Sequence, residues 1–327
     1  MEITRHQNYK QLISRFQSLI ALLILCVVLS ILSDKFLTSA NAWNVMRQIS
    51  VNVCVSVGMT LVILIGGIDL SVGSILALCA AIGAGLLKFG VEVPSANLYV
   101  GFTILGATVV ALLCGALLGG FNGFVITRFK VPPFVATLAM LTIARGLTML
   151  WTNGFPISGL GENFTWIGTG WLLGIPVPVW ISGVIVLIAV VVTNKTVLGR
   201  YIYAIGGNES AATLSGIDVK KIKVIVYTIA GGLAAAGGLL VTARLDAAQP
   251  NAGIGYELDS IAAVVIGGTS LSGGRGSVMG TVLGAVIIGV LNNGLVLLDV
   301  SPFWQQVVKG FVILSAVIID KTSKNVR

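Results

Sequence analysis

The residues of this 327-residue chain that could do chemistry fall in three short polar segments set among apolar runs. The first, Gly66-Gly67-Ile68-Asp69-Leu70-Ser71-Val72-Gly73-Ser74, interrupts two such runs. Asp69 followed by Ser71 suits the start of a helix, because either side chain can accept from backbone N–H groups that lipid would leave bare. The glycines permit a tight reversal. A similar cluster, Gly267-Gly268-Thr269-Ser270-Leu271-Ser272-Gly273-Gly274-Arg275-Gly276-Ser277, precedes another apolar run. Each reads in two ways: as a broken-helix element beside a solute path, or as a compact cytoplasmic turn between close-packed helices. The residues expected to shape an inner gate are Gly67, Asp69, Ser71, Gly267, Gly268 and Ser272.

The third segment runs from Gly199 to Ile217. Asn208 can cap a short helix from Glu209 to Leu214, with Glu209 favourable at its N-terminus and Gly216 closing it. A helix this short has no core of its own. It suits docking into a partner, or it is a solvated loop anchored by Lys220, Lys221 and Lys223; the residues alone leave both open.

Catalysis finds no support. The chain contains no Gly-Lys-Ser or Gly-Lys-Thr, so it has no phosphate loop of the G-x-x-x-x-G-K-[ST] type. If ATP drives this protein, another subunit binds it. Cys26, Cys54, Cys79 and Cys114 lie in apolar stretches without metal-ligand spacing, and His6 stands alone in the N-terminal tail. No bound metal or cofactor is expected on this chain, and no nucleophile, base and orienter come together.

The elements that must position these segments follow from composition. The chain is 56% hydrophobic and only 10% charged, with a mean hydropathy of +1.00. Soluble domains carry about 25% charged residues to cover their surface. Lipid needs no such cover. The net charge of +8 does not indicate a nucleic-acid partner, because the basic residues sit in short segments between apolar runs.

Reading those runs gives about ten transmembrane helices. They lie near 17–33, 46–66, 71–88, 98–127, 133–151, 178–193, 224–243, 259–272, 277–297 and 303–320, with the eighth short and the fourth long enough to be re-entrant or tilted. With both termini cytoplasmic, fourteen basic residues fall inside and five outside (Lys35, Arg47, Lys88, Arg244 and Lys309), leaving Arg145 within a span. The bias follows the positive-inside rule. The expected organisation is a cytoplasmic tail over 1–16, a transmembrane domain over 17–320 with a cytoplasmic coupling loop at 194–223, and a cytoplasmic tail over 321–327. Residues 152–177, rich in turn formers, read as an external loop. Arg5, Lys10 and Arg15 before Leu19–Leu32 mimic a signal peptide, but an uncleaved first helix is the plainer reading.

Five polar residues within the spans are costly against lipid: Asn52, Asn122, Arg145, Asn292 and Asn293. They are candidates for a translocation path, where Asn gives a neutral solute replaceable hydrogen bonds. They serve equally as bonds between helices.

The segments GMTLVILIGGIDLSVGS, LGRYIYAIGGNESAATLSGI and GYELDSIAAVVIGGTSLSGGRGS, in that order, closely resemble the permease subunits of bacterial ATP-binding-cassette sugar importers. The resemblance covers nearly the whole chain; the N-terminal tail and residues 152–177 look least like the family. It implies an all-α integral membrane protein of ten helices in two inverted halves, in the bacterial cytoplasmic membrane. It implies a second copy of the chain, an ATPase subunit holding ATP and magnesium, and a periplasmic or lipid-tethered sugar-binding protein that delivers a monosaccharide, ribose first. The family's Ala-x-Gly-x-Asn-x-x-Ala-Ala-x-x-x-Gly-Ile pattern falls on Ala204, Gly206, Asn208, Ala211, Ala212, Gly216 and Ile217. With Glu209, these are assigned to coupling with the ATPase. The rival class is an ion-coupled secondary transporter, against which the acids Asp69, Glu257 and Asp259 are read at span ends.

Overall fold

The protein is described by a computed structural model covering residues 18–94 and 98–325; the N-terminal tail lies outside it. Thirteen helices account for most of the described residues. They are α1 (Ser18–Leu32), α2 (Ser39–Leu64), α3 (Val72–Phe89), α4 (Ile104–Phe129), α5 (Pro133–Thr152), α6 (Glu162–Thr169), α7 (Val177–Lys195), α8 (Val197–Gly207), α9 (Glu209–Leu214), α10 (Val219–Leu245), α11 (Tyr256–Ile266), α12 (Val278–Leu297) and α13 (Pro302–Asn325). Every expected span falls on one of them. Seven (α2, α3, α4, α5, α7, α10 and α12) are long and apolar enough to cross a membrane.

The boundaries move where a cap decides them. Residues 98–100 are not helical: β2 (Leu98–Val100) pairs antiparallel with β1 (Val91–Val93), and α4 starts only after Thr103, whose Oγ1 accepts from Gly106 N–H. The long fourth span is therefore a hairpin followed by a helix. α2 starts seven residues before the expected 46, capped by Thr38. Its first turns carry Asn41, Asn44 and Arg47, which made them look unlike a span. The expected eighth span is helical only over 11 residues, Tyr256–Ile266.

α2 and α3 are buried along most of their length and, with α10, form the centre. α4 lies against α10 through Gly115, Gly119 and Gly123, one helical turn apart. A Cβ on Gly119 would overlap the Tyr227 carbonyl, and one on Gly115 would stand 2.5 Å from that of Gly231. Glycine lets the two backbones touch where burial of apolar surface offers no driving force. The opposite face of α4 exposes Leu105, Val109, Leu113 and Leu117, a row repeating every four residues that suits lipid.

Residues 152–177 fold into a layer packed at the end of α10. β3 (Ile157–Ser158) pairs with β6 (Ala247–Ala248), β4 (Trp171–Leu172) with β5 (Ile175–Pro176), and α6 lies between. Asp246 Oδ1 accepts from Leu160 N–H at 2.8 Å and ties this layer to the end of α10.

Candidate functional site

The three polar segments, remote in sequence, meet at one point. α2 ends at Leu64, and its carbonyl accepts from the Gly274 N–H at 2.9 Å. Gly274 sits at φ +71°, a left-handed conformation that strains any other side chain. Gly206, near the end of α8, lies so close that a Cβ there would overlap both the Leu64 carbonyl oxygen and the Gly274 nitrogen. Beside this contact Tyr203 donates its hydroxyl to the Gly276 carbonyl at 2.9 Å. Burial pushes the Tyr203 phenol upward, so it keeps the proton it donates. Gly67 lies against Tyr227 and Val62, and Gly267 against the backbone of Gly280. Gly268 takes φ +86°, and Ser272 N–H donates to Ser270 Oγ.

The start of α3 differs from expectation in one respect. Ser71 does not cap it with its side chain. Asp69 Oδ1 instead accepts from both Ser71 N–H (2.8 Å) and Ser71 Oγ (2.5 Å), and Asn122 Nδ2 donates to the same hydroxyl at 3.0 Å. Asp69 and Ser71 are fully buried, so this turn is locked to α4 inside the protein. Ser277 does act as a cap, its Oγ accepting from Gly280 N–H at the start of α12.

α9 spans Glu209–Leu214. Asn208 Oδ1 accepts from Ala211 N–H at 3.0 Å, and Gly216, at φ +83°, ends the helix as Ile217 N–H bonds back to the Ala212 carbonyl. Its alanines divide: Ala212 is buried against the protein, while Ala211 faces outward. Leu214 is 90% exposed, an apolar tip with no cover. Cavities of about 330 and 660 Å³ flank α9 and share Glu209 and Lys223. These two are joined by an ion pair of 2.8 Å that braces α9 against α10. Ala204 is exposed and Gly206 half-buried. The expected loop 194–223 also contains α8, not read from the sequence; Leu198, Ile202 and Ile205, spaced four and three apart with the two isoleucines buried, carried its signal.

The five polar residues within spans do not gather, and no hydrogen bond links any two of them. Asn122 holds Ser71. Asn293 and Asn41 exchange amide bonds of 2.8 and 3.0 Å between α12 and α2. Arg145 Nη1 donates to the carbonyls of Pro250 (2.6 Å) and Ala252 (2.9 Å). Asn292 Nδ2 donates to Asp259 Oδ2 at 3.3 Å, and Asn52 is buried within α2. Four of the five thus bond to other elements.

Asp259 Oδ2 also accepts from Lys309 Nζ at 3.0 Å, with the carboxylate side chain 7% exposed. Lys309 lies within α13 and Asp259 in the first turn of α11, at that helix's end as read from the sequence, so the ion pair joins the two helices. Fifty residues separate the two, and no local pattern announces them.

A helical protein with long apolar spans, lipid-suited outer faces and two glycine-rich turns locked to a pair of short helices is a multi-pass membrane protein of the transport class. The chain belongs to the permease-component family of branched-chain amino acid transport systems, whose model matches residues 41–317. It is 51% identical to the ribose import permease protein RbsC of Haemophilus influenzae over 308 residues, covering 93% of this chain and 92% of that protein. The ribose import permease proteins RbsC of Escherichia coli K12 (52% identical, 93% and 92% covered) and of Bacillus subtilis strain 168 (50%, 92% and 91%) are similarly related. No solved structure matches the chain.

Proposed function

We propose that this chain is the membrane-spanning permease subunit of an ATP-driven importer that carries ribose across the bacterial cytoplasmic membrane. The observation that carries this reading is about 50% identity over nine-tenths of both chains to proteins named for ribose import. Ten membrane helices in two inverted halves, both termini cytoplasmic, complete the topology. α1, α11 and α13 join the seven long spans, giving a transmembrane domain over 17–320 between short tails.

The chain works in two copies with an ATPase that binds ATP and magnesium, and with a sugar-binding protein outside the membrane. It hydrolyses nothing itself and holds no cofactor. α8 and α9 form the ATPase contact, through Ala204, Gly206, Asn208, Glu209, Ala211, Ala212, Gly216 and Ile217. Two features support this: the bare Leu214 tip, and the seat of Gly206 on the turns at Leu64 and Gly274. Closure of the ATPase pushes α9, and the interlocked glycines pass that push to the ends of α2 and α11. The turns at Gly67–Ser71 and Gly267–Ser272 then act as the inner gate. Asn52, Asn122, Asn292 and Asn293 serve mainly to hold helices together, and Arg145 stands nearest to irregular backbone.

The rival reading, ion-coupled secondary transport, requires an acid at membrane depth free to take up an ion. Of the two acids in the first turn of α11, Asp259 is already paired with Lys309, and Glu257 stands in the field of the Arg145 guanidinium.

The test is radiolabelled ribose uptake into proteoliposomes containing the chain, its ATPase and its binding protein, with ATP enclosed. ATP-dependent uptake of ribose supports the reading, and ATP-dependent uptake of a different monosaccharide would correct only the substrate. Uptake by the chain alone under an ion gradient would refute it.

A further inference from the structure

The connection between α10 and α11 does not stay at the outer surface. At its start Ala247 pairs with Ser158, whose carbonyl accepts from Lys88 Nζ near the end of α3. By Gly253 the same connection touches Gly73, at the other end of α3. A Cβ on either glycine would overlap the other's carbonyl oxygen. Fifteen residues of helix separate Gly73 from Lys88, about 22 Å at 1.5 Å per residue. Gly253 therefore lies deep within a hydrocarbon layer about 30 Å thick.

Irregular backbone at that depth survives only where protein buries it or where it lines water. Part of this stretch is provided for, since Arg145 reaches from α5 to the Pro250 and Ala252 carbonyls, which no helix serves. Turn bonds serve part of the remainder, Ala252 N–H to the Gln249 carbonyl and Tyr256 N–H to that of Gly253, but three side chains lie open. Gln249, Asn251 and Ile254 are exposed, Ile254 to 63%. Next to them the Glu257 carboxylate stands 2.6 Å from where a Cβ on Gly73 would be, with its other oxygen accepting from Gly255 N–H. Two exposed amides thus stand along a descending strip of backbone that also carries a guanidinium and a carboxylate.

We propose that residues 249–257, with Arg145, form a wall of a water-filled translocation pathway and contact a neutral, hydroxyl-rich solute through Gln249, Asn251 and Glu257. The chemistry selects that class. The amides both donate and accept, and the opposite charges of Arg145 and Glu257 offset each other, so a polyol finds replaceable bonds without a net field to trap an ion. The wall is open on a single chain, so a second copy, facing it across the water, completes the passage. The identity of the solute rests on the importer reading; the watery wall does not.

The test separates the two. Gln249→Cys and Asn251→Cys are made singly in the full chain and assembled with ATPase and binding protein in proteoliposomes. Each is exposed to a small charged methanethiosulfonate, with the unaltered chain, whose cysteines are buried or half-buried, as background. Leu117→Cys on the exposed face of α4 is the lipid control. Labelling at 249 and 251 at least tenfold faster than at 117 supports the wall, whether or not ribose uptake is seen. Labelling only by a lipid-soluble maleimide would place the strip against lipid, and labelling by neither would bury it under the second copy. Both results overturn the proposal. Solute contact is read separately: Asn251→Ala should lower ribose uptake about fivefold, the loss of one neutral hydrogen bond, while Asn251→Gln retains most of it. Uptake by Asn251→Ala within twofold of the unaltered chain overturns that contact.

Discussion

The Gly274 N–H donates to the Leu64 carbonyl at 2.9 Å, and Gly206 is pressed against both partners of this bond. The end of α2, the turn before α12 and helix α8 therefore share one close backbone-to-backbone contact. A displacement of α8 cannot be absorbed by a side chain there, because none exists.

Gly206→Ala is predicted to place a methyl group inside the Leu64 carbonyl and force the turns apart. Overpacking of this kind costs about 1–3 kcal/mol. Ribose uptake should fall at least tenfold, and ATP hydrolysed per sugar should rise. The exposed neighbour Gly207, with nothing near its added Cβ, should accept alanine with little change in either quantity. Equal effects at 206 and 207 would sink the idea.

Asn208→Ala removes the cap of a helix only six residues long. About 1 kcal/mol is the usual cost, and for a helix with so little packing that is enough to fray it. Uptake should drop severalfold, with Asn208→Asp keeping most of it because aspartate caps equally well. A helix that stays protected from hydrogen exchange in Asn208→Ala would contradict this.

Lys309→Met leaves Asp259 as an unpaired charge in a buried site. Breaking one half of such a pair costs about 3–5 kcal/mol. The variant should show a markedly lower unfolding temperature in detergent. Adding Asp259→Asn should restore most of it, since Asn292 can still bond to the amide. Additive losses in the double variant would argue against the pairing.

Gly119→Ala should separate α4 from α10 and destabilise the protein by about 1–3 kcal/mol, whereas Gly146→Ala, with open space around its added Cβ, should be neutral or gain about 0.5–1 kcal/mol. Thermal unfolding of the two variants side by side checks the contrast. A loss at 146 as large as at 119 would mean that close packing is not what glycine serves on α4.

The sequence by itself determined the membrane class, the order of the long apolar helices, and α9 with its cap, because each depends on neighbours along the chain. Apolar runs report burial in lipid, and Asn208 and Gly216 report a helix's ends, whatever lies around them. Residue spacing likewise located the glycine-rich turns at 66–74 and 267–277. Only the tertiary structure decided that these turns meet each other and Gly206, and that Asp259 belongs to Lys309. It alone placed the connection after α10 at the depth of Gly73. These contacts join residues from fifty to more than two hundred positions apart. Helix periodicity and hydropathy describe one element at a time, and carry no information about which elements the packing of backbone against backbone will bring together.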